Sequence, residues 1–383
     1  MTRHFAKRAT ATALILALAA CGGGGSGGGA GIGGSGYKSS GTITEFGSIF
    51  VNGVEFQTTG SVFEIEDSPG AQSDLRIGMR VVVEGSVDAN GTTGVATRVR
   101  FEDQLEGPIP SASTVSTDAD GETKSFTILG VPVTVSGVDT TFVGTTFATI
   151  APGAVLQISG FFDASGLLHA TAVVNKSAFT PNATVVEAKG TITSLAATTL
   201  ALRVGNATLD VDFTSADLSR VPGGLATGQL VEVKGTLAAD TATTIASTAI
   251  KLEDDSFNEG AQAELEGIIT SFGSPSSFAV DGQQVNASAA ARTPANLTLR
   301  AGIKVEVEGS ITNGVLQATA VKLREGSLRV HATASNVNTS ANTFDLLVAG
   351  QAVTVTANTS TEMEDKTSSS NLSLATLGNV NGR

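Results

Sequence analysis

Four stretches decide the fold: Gly78-Met-Arg-Val-Val-Val-Glu-Gly85, Gly153-Ala-Val-Leu-Gln-Ile-Ser-Gly160, Gly228-Gln-Leu-Val-Glu-Val-Lys-Gly235 and Gly302-Ile-Lys-Val-Glu-Val-Glu-Gly309. Their leading glycines stand 75, 75 and 74 residues apart. Three and five positions after each one the residue is aliphatic: Val81 and Val83, Leu156 and Ile158, Val231 and Val233, Val305 and Val307. The positions between are mostly Glu, Lys, Gln or Ser. Period-two alternation of this kind predicts a half-buried β-strand with one wet face. Recurrence at constant spacing predicts tandem modules, because each repeat is one supersecondary unit.

Other elements recur around this strand. Upstream, two apolar runs flank a tight turn, as in Phe50-Val-Asn-Gly-Val-Glu-Phe56 and Phe278-Ala-Val-Asp-Gly-Gln-Gln-Val285. Asn-Gly and Asp-Gly supply the positive φ angles that two-residue hairpins require. Each copy begins near a Gly-x-Ile, at Gly41, Gly107, Gly190 and Gly267. A short turn or single helical turn precedes the glycine motif, and a further strand follows it, such as Val315–Leu323. Five antiparallel strands in about 75 residues predict an all-β chain of small, partly open OB-like barrels, since closure removes exposed edges. A two-sheet sandwich is the alternative. Each module is expected to bury its own aliphatic stripe; modules of this size are marginal alone, so neighbours are expected to pack end to end.

The tandem pattern F-x-V-x-G-x-x-V, then L-x-x-G-x-x-V-x-V-x-G, ending in A-T-x-V, resembles a domain of unknown function repeated in bacterial lipoproteins. The resemblance covers residues 41–325 well and 326–383 partly. It implies an architecture and brings no catalytic residues with it. Copy two departs most, with Gln157 and Ser159 where the others carry charges. The expected boundaries are 41–104, 105–177, 187–256 and 264–325 for modules one to four. Residues 326–383 form an incomplete fifth, in which Asn381 stands where the other copies have Val or Leu. That module is expected to be frayed or truncated, or completed by another chain.

The N-terminus reads differently. Arg3, Lys7 and Arg8 precede an apolar run from Ala9 to Ala20, the pattern of a secretory signal too short to span a bilayer permanently. Leu18-Ala19-Ala20-Cys21 resembles the lipobox of bacterial lipoproteins, which implies cleavage after residue 20 and acylation of Cys21. Gly22, in place of Asp, implies delivery to the outer membrane, facing the periplasm or the exterior. The Gly/Ser-rich residues 21–40 read as a flexible tether reaching roughly 25 Å.

Cys21 is the chain's one cysteine, so no disulfide is expected. Losing the signal leaves 20 basic residues against 36 acidic, a net charge of −16. Such a chain is repelled by nucleic acid phosphates and by anionic membrane surfaces, so lipid must do the holding. Tryptophan is absent.

Candidate chemistry is sparse. Gly24–Gly28 satisfies G-x-S-x-G and Ser35–Lys38 satisfies S-x-x-K, but both sit in the tether, outside the strand–helix context each needs. His169 and His331 fall in different modules. Acids gather after final strands: Glu102 and Asp103 follow module one, and Glu253, Asp254 and Asp255 follow module three. Loop carboxylates suit Ca²⁺, which takes six to eight oxygen ligands, so these five are the candidate structural calcium ligands. No other cofactor and no catalysis is expected. The composite expectation is a lipid-anchored envelope protein with a structural or binding role, partnered by an envelope protein or a glycan through acidic rims. The alternatives are a hydrolase of glycans or esters with convergent Asp/Glu, and a calcium-stiffened, adhesin-like spacer.

Overall fold

The computed structural model describes residues 36–119, 121–253, 257–324, 334–348, 351–357 and 373–374. The described chain is all β apart from single 3-10 turns such as Gln72–Asp74 and Phe147–Thr149. Both lie where a short turn is expected ahead of the glycine motif, shortly before Gly78 and Gly153.

Each module has the OB order of strands. In module one, the first strand (Tyr37–Phe46) pairs with the second (Ile49–Val51), and the second with the third (Val54–Gln57). The third runs parallel to the fifth (Thr93–Phe101), which pairs with the fourth (Arg80–Val87). The fourth returns to the first, and the ring is closed. Modules three and four close in the same way. Module two has no ladder between its first strand (Leu105–Pro108) and its second (Thr123–Ile128), so its barrel is open there.

The repeated glycines have a common physical cause. Gly78, Gly153, Gly228 and Gly302 all lie at φ between +86° and +90°, a region L-residues rarely adopt. Each donates its N–H to the isoleucine of the Gly-x-Ile motif in its own module, at 2.8–2.9 Å. Those isoleucines, Ile43, Ile109, Ile192 and Ile269, are fully buried. They donate in return to the residue after the glycine. The closing glycines Gly85, Gly160, Gly235 and Gly309 sit at register shifts between the fourth and fifth strands. A Cβ at any of them would collide with the facing carbonyl oxygen. Two glycines per motif therefore build a latch and a bulge, and the bulge bends the fourth strand round the barrel.

Three expectations are corrected. The modules do not pack end to end: module one joins module four through parallel first strands, Tyr37–Ser40 against Gln262–Leu265, and module two joins module three. Modules two and three share one continuous apolar core, running from Leu105 to Ile250, rather than keeping separate ones. The first strand begins at Tyr37, inside the segment read as tether. Its hydroxyl donates to Glu264 Oε2 at 2.5 Å. A three-stranded sheet at Ala334–Asn338, Thr343–Val348 and Gln351–Thr356 is what is described of the fifth module.

Candidate functional site

In modules two to four the middle of the fourth-strand face expected to be wet is buried, while in module one Glu84 stays exposed. Glu232 is 4 % exposed, Glu306 0 % and Gln157 6 %, because a neighbouring module covers each of them. Burying a charge is costly unless it is paired, and around modules one to three the pairing is dense. Lys251, on the last strand of module three, places Nζ 2.6 Å from Glu253, 2.7 Å from Glu102, 2.7 Å from Asp67 and 3.3 Å from Glu232. Lys189 adds contacts of 3.1 Å to Glu253 and 3.8 Å to Glu102. Lys234 lies 2.9 Å from Glu187 and 3.8 Å from Glu66.

The candidate calcium residues are thus divided. Glu102 and Glu253 do converge, with Glu232, to within 4.8 Å, but lysines already fill that space. Asp103 points elsewhere and meets Glu66 and Glu187, again with one oxygen from each within 4.8 Å of the others. Asp254 and Asp255 lie outside the described residues, as do Cys21 and His331. His169 bonds Asp163 at 2.9 Å, a local surface pair.

Electrostatics follow from this crowding. Burial, reinforced by the charge of Glu187, pushes the Glu66 carboxyl up to about 8. Burial and the neighbouring Glu66 push Asp103 far above the carboxylate range. Glu253 rises to about 7, chiefly through burial. Glu102 moves down: burial opposes ionisation, but Arg100, Lys189 and Lys251 outweigh it. Eight carboxyl groups meet six cationic side chains in this region, counting Arg100, Lys176 and Arg220 at its edge, so two carboxyls have no cation to balance them.

Sequence reasoning missed Glu66, Glu187 and Glu232. Glu66 and Asp67 turn at φ +48° and +65° after a strand, and nothing in their local pattern marks them. Glu187 carried a signal. It stands three residues before Gly190, as Glu264 stands before Gly267, and both are buried where first strands meet another module.

Beside this cluster the four modules enclose one cleft of about 740 Å³. Lys38, Arg80, Asp163, Arg203 and Asp281 line it, with Phe162 and Phe257 as apolar patches. Arg80 pairs with Asp281 and lies 5.0 Å from the centre of the Phe161 ring. The lining carries both signs, where acidic rims were expected.

Four segments, residues 40–100, 106–174, 189–248 and 266–322, match a single family described as a domain of unknown function. The chain belongs to the DUF5666 family. These DUF5666 copies span the four closed or nearly closed barrels. No curated protein matches the chain. Among solved structures it is similar to one described as "drosophila Unr CSD456", at 15% identity and a TM-score of 0.15, covering 54% of this chain and 90% of that one. It is also similar to a multidomain protein with nucleic acid binding domains from Streptococcus pneumoniae TIGR4, at 10% identity and a TM-score of 0.16, covering 57% and 74%. At these scores neither likeness carries an inference.

Proposed function

We propose that this DUF5666 chain is an outer-membrane lipoprotein, held through acylated Cys21, with a structural or binding role and no catalysis. The observation behind the binding role is the shared cleft: all four modules contribute to one concave site, where ligands preferentially bind. Side chains of both signs, amides at Asn206 and Gln283, and two phenylalanines suit a polar, hydroxyl-rich ligand such as an envelope glycan. Fractionation with mass spectrometry tests the anchor: the expected N-terminus is a lipid-bearing Cys21, and an intact residue 1 or a bare thiol refutes it. For the cleft, retention of the full chain on envelope glycan should fall at least tenfold in Arg203→Ala with Gln283→Ala. Equal retention, or none by the parent chain, refutes the binding role.

A hydrolase is the rival reading, because Glu102 and Glu253 both border the cleft with carboxyls driven in opposite directions. Against it, the Glu253 side chain is 1 % exposed and both its oxygens face lysines, leaving no room for a leaving-group oxygen. Glycan turnover that disappears in Glu253→Gln would decide for the enzyme.

A further inference from the structure

We propose that Glu66, Asp103 and Glu187 form a Ca²⁺ site that clamps modules one and three together. Each offers one oxygen within 4.8 Å of the other two. Oxygens bound to one Ca²⁺ at about 2.4 Å lie no more than about 4.8 Å apart, so the three can share a single ion, and the irregular carboxylate set suits the flexible coordination of Ca²⁺ better than the strict octahedron of Mg²⁺. The independent sign of a ligand is Asp103. It is 5 % exposed, and its Oδ2 is buried with no hydrogen-bond partner. A carboxylate oxygen left so is costly, and native proteins seldom tolerate one without an ion or water.

Three further observations favour a cation. The surrounding cluster has two more carboxyl groups than cationic side chains, so a divalent ion would let both ionise. The donors are all oxygen, which excludes soft metals and suits a hard one. A pocket of about 240 Å³ opens against Glu66, the one of the three ligands that borders it. Gln157 of module two, whose amide lies 3.2 Å from Glu66 Oε1, can turn its carbonyl inward as a further ligand. Lys234, now 2.9 Å from Glu187, has Glu232 at 3.3 Å to retain it when the ion enters. The lysine-filled group at Glu102, Glu232 and Glu253 is excluded, because Lys251 and Lys189 already supply its positive charge.

The test is calorimetric titration of the EDTA-treated full chain with CaCl₂ and with MgCl₂, followed by thermal melting. The expected result is one Ca²⁺ per chain, bound at least tenfold more tightly than Mg²⁺, with melting raised by several degrees. Asp103→Asn and Glu187→Gln should each weaken Ca²⁺ binding at least tenfold, while Glu253→Gln leaves it unchanged. Asp103→Asn replaces a buried acid with a neutral group of the same shape, so its metal-free melting should equal or exceed that of the parent, which separates lost binding from lost folding. No heat of binding, full affinity in both variants, or preference for Mg²⁺ overturns the proposal.

Discussion

At the residue scale the repeated glycines are the most consequential choice in this chain. Gly78 and its equivalents are needed for their φ, and Gly309 and its equivalents for the absence of a Cβ. Gly309→Ala should therefore destabilise module four by about 1–3 kcal/mol, because the facing strand must shift to admit the methyl group. Urea unfolding of the full chain checks this; an unchanged midpoint would mean the bulge relaxes freely. Sequence spacing made these glycines visible as a motif. It could not distinguish the torsional role of the first from the steric role of the second, since that difference depends on what lies across the ladder.

At the scale of the element, the first strands do two jobs. One end closes a barrel and the other pairs with a different module, so Glu264 is buried against Tyr37, Ser39 and Glu306. Burial first, and then the charge of Glu306, raise its carboxyl to about 8. An acid raised above its unfolded value of about 4.3 holds its proton more tightly when folded. Its contribution is therefore complete below that value and is lost as pH rises through about 8. Glu264→Gln, which still accepts from Tyr37, should flatten the decline in melting temperature over that window. An identical pH slope in parent and variant would count against the junction as its source. The five strands of a module were legible in residue periodicity. The second partner of the first strand was not, because pairing to a distant strand leaves no mark on alternation within either one.

For the whole molecule, modules two and three share a core while one and four share a sheet, so any cut between residues 178 and 185 severs the first and separates the second. Fragments 1–180 and 181–383 should each lose cooperative melting and regain it on mixing. Tyr37, the single tyrosine, reports reunion because its partner Glu264 lies on the other fragment. Two halves that each melt like the parent would restore a string of independent beads.

The sequence alone determined the five-stranded module, its repetition along the chain and the aliphatic stripe each copy buries, since these follow from local alternation and torsional limits; closure into a barrel rather than a sandwich was left to tertiary pairing. Tertiary structure alone decided which modules pair, that alternate Glu and Gln positions are buried, and that Asp103 faces Glu66 and Glu187 instead of its sequence neighbours. Those outcomes depend on surfaces brought together across separations from 37 residues, between Asp103 and Glu66, to 227, between Tyr37 and Glu264, and a charge that meets water and one that meets another module look the same in a linear pattern.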